Sequence, residues 1–427
     1  LNKLHLHLAD DEGWRIEIPA LPELAEIGSK RCHDLQEATC LLPQLGAGPD
    51  GTGAVNGYLT AADYVAILRA ATARQIEVIP SIDMPGHSRA AIKAMEVRHA
   101  RFLAAGKAAE ADAYRLIDPA DTTEYRSIQH YNDNTLNVCL PATYLLVLSQ
   151  VGAPTRIGHQ AVNPIFTQHL GADETAGAWV KSPACKAMIA ENGGDAGTLT
   201  PRFIERVANR LAAKVLRTGG WSDGMGHTDP TKMPNNVQTN IWGVLHTGAI
   251  REAHDQLNRG WDVVLSIPDL GYFDMTYAPH TDENGYHWAS RGVDEYQVFG
   301  FMPGNLPANA ATIRNTHAQG KAIAGEPVLQ PGRRIAGVQG QLWSETTRTD
   351  VQVDYMFFPR LLALAERAWS PATWTPAYQS GARYEWGDKR VDAATLRSSW
   401  QDFAGRVAAQ LPMLDKIGVA YRVAPPG

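Results

Sequence analysis

Apolar residues recur along the chain in short runs, each breaking off at polar or aromatic positions. The opening run, LNKLHLHLADDEGW, alternates: in an extended segment Leu4, Leu6 and Leu8 share one face, and His5 and His7 share the other. It ends at Asp10 and Asp11. IEVIPSIDMPGH (76–87) breaks at Asp83 and His87, IFTQHLGADET at Asp173 and Glu174, RTGGWSDGM at Trp221 and Asp223, and VQTNIWGVLH at Trp242. WDVVLSIPDLGYFD reaches Tyr272 and Asp274, and IAGVQGQLWSET reaches Trp343 and Glu345. The pattern predicts seven strands, each with chemistry at its end.

Helical periodicity fills several gaps. LTAADYVAILRAATARQ has Thr60 and Asp63 in capping-box spacing, then Tyr64, Ile67, Leu68 and Ala71 on one face. TPRFIERVANRLAAKV predicts a helix with Thr200 as N-cap and Pro201 at its first position. DYMFFPRLLALAERAW reads as one apolar helix containing Pro359, and ATLRSSWQDFAGRVAAQL as an amphipathic one. Strands alternating with helices predict a parallel α/β fold, and functional groups at every strand end predict a (β/α)8 barrel with its site at the C-terminal face. The glycine-rich segment 46–57 lacks the ending of a phosphate loop and reads as a surface loop. Segment 99–137 is polar and charged and reads as a solvated excursion.

Composition changes this picture little. With 427 residues, 44% hydrophobic and 20% charged, the chain has room for one large barrel. A net charge of −6 argues against a nucleic-acid partner. No stretch approaches the ~18 apolar residues of a membrane span. Cys32, Cys40, Cys139 and Cys185 form no C-x-x-C pair, and spacing alone leaves Cys32 and Cys40 open between a bridge and two thiols.

Adjacent Asp173 and Glu174 raise each other's pKa when one ionises, and a raised carboxyl is what a general acid needs near neutral pH. Trp221, Trp242, Tyr272, Trp288 and Trp343, interleaved with Asp10, Asp83, Asp223, Asp274 and Glu345, read as a sugar pocket: aromatic faces for the C–H faces of a pyranose, carboxylates for its hydroxyls. A competing reading makes His5 and His7 metal ligands, with His87, His169 or His246 completing the set. Because both lie upstream of the strand end, they read better as interior histidines, which leaves Asp10 facing substrate.

HLHLADDEGWRIEI, EVIPSIDMPGH, HLGADET, the Trp-Ser-Asp-Gly run, PDLGYFD and GQLWSE, in this order, resemble the β-N-acetylhexosaminidases of glycoside hydrolase family 20. RCHDLQEATCLLPQ and GYHWASRGVDEYQVF resemble its bacterial chitobiase branch. The resemblance implies an exo-acting enzyme that removes terminal GlcNAc, or GalNAc, from chitobiose, chitooligosaccharides or glycans. It also implies a retaining, substrate-assisted mechanism in which the 2-acetamido oxygen attacks C1. Glu174 is then the general acid and base, Asp173 orients the acetamido N–H, and Tyr272 hydrogen-bonds its oxygen. Trp221, Trp242 and Trp343 wall the sugar, Asp10, Asp274 and Glu345 grip hydroxyls, His87 and His169 stand close behind the acid, and Trp288 stacks on the next sugar. No metal or organic cofactor is implied. Cys32 and Cys40 are implied to lie close enough to bridge, and a bacterial periplasmic, outer-membrane-associated or secreted location is implied.

Against the family pattern, the chain opens on what corresponds to the second barrel strand, without the arginine of the first. It ends at YRVAPPG, where relatives continue, and Ser81 stands where the family more often has Glu. The expectation is one catalytic barrel domain over 1–427, cut at both ends, with strands to about 342 and helices over about 352–416. It would lack its first strand, leaving the edge of 2–9 unpaired beside 335–342. Two alternatives remain: a metal-dependent barrel hydrolase using His5 and His7, or a sugar-binding fragment without turnover.

Overall fold

A computed structural model describes residues 1–149, 166–175, 177–324 and 327–423. Ile165, which opens the IFTQHLGADET run, and the last four residues of YRVAPPG lie outside the described residues. The chain divides into two compact units, Leu1–Gln238 and Thr239–Gly427.

The first unit carries β1 (Lys3–Asp10), β2 (Gly13–Trp14), β3 (Glu77–Met84), β4 (Thr167–Gly171) and β5 (Arg217–Trp221). β1, β3, β4 and β5 run parallel in that order, and β2 turns back antiparallel on the end of β1, pairing Ala9 with Trp14. Helices Ala61–Thr72, Arg89–Ala104 and Leu199–Ala212 cross between strands, as parallel pairing requires. β3 and β4 are buried almost throughout, so Ser81, Asp83, Thr167, Gln168 and His169 are polar side chains held inside the sheet's covered faces. The predicted capping box is present: Thr60 Oγ1 accepts from Asp63 N, and the Asp63 carboxylate accepts from Thr60 N.

β6 (Val237–Ile241) carries the chain into the second unit, which holds β7 (Asp262–Leu265), β8 (Ile323–Ala324), β9 (Gly337–Val338) and β10 (Arg383–Tyr384). Ser266 N donates to Ile241 O at 2.8 Å, linking the ends of β6 and β7. β7 and β9 are parallel, with Leu265 opposite Val338, and β8 and β10 form a separate antiparallel pair. The core centres on Phe299, with Phe403 and Trp374 stacked on it at 4.9 and 5.2 Å. All seven predicted strands are present.

Three expectations need correction. The helix expected to start at Pro201, capped by Thr200, starts at Leu199, because Asp195 closes a 3-10 turn by accepting from Thr198 N and feeds the helix two residues early. Pro201 then falls within the first turn, where its missing N–H costs nothing. The helix expected to contain Pro359 is two helices, Asp350–Phe357 and Arg360–Trp369, with Phe358 extended between them, as the restriction on a residue before proline requires. Segment 99–137 is largely exposed, as expected, but it is more than a solvated excursion. It completes the helix Arg89–Ala104, adds Ala108–Asp112, and ends with Asn134, Leu136 and Asn137 buried.

Candidate active site

Strand register sets the first unit's site. His7 pairs with Ser81, Ser81 with His169, and His169 with Gly219, so one row crosses four strands. A Cβ on Gly219 would stand 2.9 Å from His169 Cδ2, so only glycine leaves room for that ring. Gly171 N donates to His169 Nδ1 at 3.2 Å, which puts the imidazole proton on Nε2. Ser81 Oγ lies 3.1 Å from the same nitrogen and 3.2 Å from Asp83 Oδ1. His169 meets Trp221 edge-on at 5.0 Å, and His5 stacks on Trp221 at 5.8 Å. His5, half-buried, and His169 thus pack against the buried indole.

His7 turns elsewhere. Its Nε2 lies 2.8 Å from Asp10 Oδ2 and its Nδ1 3.8 Å from Asp83. The other Asp10 oxygen lies 3.1 Å from His87 Nδ1. The far side of His87 faces the strand end of β4, with Nε2 at 3.3 Å from Glu174 Oε2 and 3.7 Å from Asp173 Oδ2. Gln129 donates to Glu174 Oε2 at 2.9 Å, and the Glu174 backbone N–H donates to Asp223 at 2.8 Å. Asp173 Oδ1 is buried and has no hydrogen-bond partner among the described residues.

The backbone is strained at these positions. Gly171, Ala172 and Glu174 have φ of 67°, 72° and 42°, and His87 has 48°. A Cβ on Gly171 would collide with the Asp83 carboxylate. Left-handed non-glycine residues cost of order 1–3 kcal/mol each and persist where surrounding contacts hold them. Here those contacts are the carboxylate–imidazole chain.

Charge follows geometry. Burial opposes ionisation of Asp10, but the His87 and His7 imidazoles hold its carboxyl below the usual range. His7 is pushed up to about 9: burial works against its charge, and Asp83 and Asp10 outweigh it. His87 lies well above the usual histidine range, again against burial, through Asp10 and Asp173. Asp83 is pushed up to about 6 by burial, with Asp10 adding to it. Burial and the charges of Asp83, Asp223 and Glu174 push Asp173 well up. Glu174, despite burial, is lowered by hydrogen bonds from His87 and Gln129. The adjacent pair is split as like charges should be, but in the free site the raised carboxyl is Asp173, not the expected Glu174. Two donors face Glu174, whereas Asp173 stands among carboxylates.

In the second unit, Tyr272 meets Trp288 edge-on at 5.7 Å and Trp343 at 6.4 Å. Tyr272 is held by a backbone bridge to Gln341. Asp274 is buried, its Oδ1 has no hydrogen-bond partner among the described residues, and burial with nearby Glu345 pushes its carboxyl up to about 7. Arg348 donates to the carbonyls of Ser344, Glu345 and Thr347, fixing the turn that carries Glu345. Trp242 packs, partly buried, on this unit's core, and Trp288 is 46% exposed.

The structure brings Asp10, His87, Asp173 and Glu174 together and adds His7, Asp11 and Gln129 to their contacts, three residues not singled out for the site from the sequence. His7 had a visible signal, the His-x-His alternation. Gln129 lies in the segment read as solvated. Two sets, His7–Asp10–Asp83 and Asp10–Asp11–His87, have ligand-type atoms close enough to share an ion. Among the described residues His5 joins neither set.

The glycosyl hydrolase family 20 catalytic domain model matches residues 1–372. The chain is 49% identical over 407 residues to "Beta-hexosaminidase B" of Pseudoalteromonas piscicida, covering 94% of this chain and 52% of that protein. It is 40% identical over 462 residues to "N,N'-diacetylchitobiase" of Vibrio harveyi, covering 100% of this chain and 52% of that protein. The chain therefore spans about half the length of these curated relatives. Among solved structures, the GH20 exo β-N-acetylglucosaminidase of Vibrio harveyi in complex with N-acetylglucosamine superposes with a TM-score of 0.73 at 31% identity. That match covers 99% of this chain and 54% of that one. The fold class is the (β/α)8 barrel expected from the strand–helix alternation, and the chain belongs to glycosyl hydrolase family 20.

Proposed function

We propose that this chain is the catalytic domain of an exo-acting β-N-acetylhexosaminidase that removes terminal GlcNAc, or GalNAc, from chitobiose, chitooligosaccharides or glycans. The observation that carries the reading is the Asp173–Glu174–His87 arrangement, with a buried, unpartnered Asp173 oxygen beside a carboxylate held by His87 and Gln129. An acetamido N–H is the donor that Asp173 Oδ1 lacks. As the 2-acetamido oxygen bonds to C1 and the C1–O bond to the leaving sugar breaks, positive charge grows on that N–H and Asp173 stabilises it. Glu174 gives its proton to the departing oxygen, then takes one from the water that opens the oxazolinium ion.

The free-site ionisation fits this sequence once substrate is included. An N–H donor at Asp173 favours its ionised form, and a charged Asp173 raises the pKa of Glu174. Substrate binding thus moves the pair's proton to the residue that must donate it. Tyr272 holds the acetamido oxygen, Trp221, Trp242 and Trp343 wall the sugar, Asp10, Asp274 and Glu345 take hydroxyls, and Trp288 stacks on the next sugar. These roles rest on the match to the family's motifs, as does that of His169. His87 additionally stands on its contacts with both acidic residues. The family model matches residues 1–372, all of the first unit and much of the second, which supports one catalytic domain. Two disulfides, Cys32–Cys40 and Cys139–Cys185, support an oxidising location such as the periplasm, the outer membrane's surface or the medium.

The test is hydrolysis of p-nitrophenyl β-GlcNAc, β-GalNAc and β-glucose side by side, with a GlcNAc-thiazoline as inhibitor. The acetamido sugars should turn over, and the thiazoline should compete as a mimic of the oxazolinium ion. Comparable turnover of the glucoside, which has no acetamide, overturns the mechanism.

A further inference from the structure

Behind His87 lies a buried chain of contacts that the catalytic reading does not use. Asp11 is fully buried at the end of β1, and its Oδ2 is 3.3 Å from His87 Nδ1. That oxygen also accepts from Asn134 Nδ2 at 2.9 Å, and Oδ1 accepts from the backbone N–H of Arg89 at 3.0 Å. Arg89 is the first residue of the helix Arg89–Ala104, whose N-cap Ser88 makes no side-chain cap bond. Asp11, from the turn after β1, fills that role.

The Arg89 side chain is equally fixed. Its Nη1 and Nη2 donate to Glu37 Oε1 and Oε2 at 2.8 and 2.6 Å, and its Nε donates to Asp133 at 2.8 Å. Lys93 stands 3.3 Å from Glu37 and 2.7 Å from Asp133. Glu37 and Arg89 are each only 5% exposed, and a buried two-pronged pair is strong and directional. Glu37 sits at φ 52° in the loop closed by Cys32–Cys40, where Asp34 accepts from Gln36 N, Ala38 N and Thr39 N. A residue in that conformation stays there because the bridge and the Asp34 turn leave the loop little freedom.

We infer that Glu37 and Arg89 are positioning residues: the disulfide loop holds Glu37, Glu37 holds Arg89, and Arg89 seats Asp11 against His87 behind the acid. The inference rests on the hydrolase reading of Glu174 and His87 and adds residues to it. His87 is faced by Asp10 at the end of β1 and Asp11 just after it, Asp83 from β3, and Asp173 and Glu174 from the end of β4. Freeing Arg89 removes the seat of one of these carboxyl groups, which burial pushes up and the contact with His87 pulls back toward the ionised form, so His87 gives up its proton more readily and points less firmly at Glu174.

The experiment uses Glu37→Gln and, separately, Cys32→Ser with Cys40→Ser, in the whole chain. Nitrogen NMR of labelled histidine follows the His87 titration. Kinetics compare chitobiose, a poor leaving group, with p-nitrophenyl β-GlcNAc, an activated one. The His87 midpoint should fall by about one pH unit. Turnover of chitobiose should fall about tenfold and that of the aryl glycoside less, with KM steady, since misplacement of about 1 Å near the chemistry can cost up to 10²-fold. A folded variant with an unchanged His87 midpoint and an unchanged ratio between the two substrates overturns the inference: Glu37 then serves stability alone. If Glu37→Gln does not fold, Glu37→Asp, which keeps the charge but shortens the reach, is read the same way. A wild-type chain without glycosidase activity removes the hydrolase reading, and the NMR arm still decides the positioning claim.

Discussion

His87 Nε2 stands 3.3 Å from the Glu174 carboxylate while its Nδ1 faces Asp10 and Asp11 at 3.1 and 3.3 Å. One ring thus joins the end of β1 to the end of β4. The residue that would transfer the proton stands beside an imidazole whose other nitrogen faces two carboxyl groups, so the ring cannot rotate without breaking contacts on both sides. Replacing His87 by Asn removes the imidazolium and the link together. Turnover of chitobiose should fall by about 10²-fold or more, the scale of a general-acid contribution. Steady-state kinetics check it, and a loss under about threefold would leave His87 no part in the reaction.

Glu174→Gln keeps the size of the side chain and removes its proton. Substrates with poor leaving groups need that proton and should lose about 10²–10⁴-fold in kcat/KM, while p-nitrophenyl glycosides should lose less. Equal losses for both classes would take the acid role away from Glu174.

Asp173→Asn should separate stability from activity. The folded pKa of Asp173 is raised, so the stability linked to it is fully present below the ordinary value of about 4 and is lost as pH rises through the folded pKa. An amide has no such loss. The variant should melt higher than wild type near neutral pH, the gap closing as pH falls toward about 4, while its turnover drops for both leaving-group classes. Melting temperature followed against pH is the measurement, and a variant less stable than wild type near neutral pH contradicts the burial argument.

Much of this was legible in the sequence, for local reasons. The strand ends were found because apolar runs stop where polar residues begin, and the capping box because Thr60 and Asp63 are three apart. Pro359 was visible, but its effect as a break was not, because periodicity continues across it while the backbone at Phe358 does not. Contacts between distant positions left no signal: Asn134 reaches Asp11 across 123 positions. The polarity that makes segment 99–137 look solvated also includes Gln129 and Asn134, whose donors face Glu174 and Asp11. The split of the Asp173–Glu174 pair could be foreseen, but not its sense, which depends on where His87 and Gln129 point.

The two disulfides should differ in weight. Cys139–Cys185 spans 46 positions and Cys32–Cys40 spans 8. Loop-closure entropy assigns about 4 kcal/mol to the first and about 2.5 to the second. Serine pairs at each bridge, compared by denaturant unfolding, should show the larger loss at Cys139–Cys185. With no free cysteine, alkylation without reduction should add no label.

Asp274 offers the last test. Burial, with Glu345 adding to it, pushes its carboxyl up to about 7, so it is mostly protonated below that pH and mostly ionised above. An ionised carboxylate accepts hydrogen bonds from sugar hydroxyls with charge assistance, whereas the protonated form loses that charge. If Asp274 grips a hydroxyl, KM for GlcNAc glycosides should rise as pH falls from about 8 to about 6, with kcat changing less, because the contact is made in ground state and transition state alike. Asp274→Asn should raise KM across the range and flatten this limb. The linked stability runs the other way: the raised pKa makes the protonated form the more stable one, so wild type gains stability from Asp274 as pH falls through about 7 while it loses affinity. Measured KM and melting temperature should therefore rise together on acidification through that window. A KM that stays level between pH 6 and 8 in wild type would remove Asp274 from the sugar contacts.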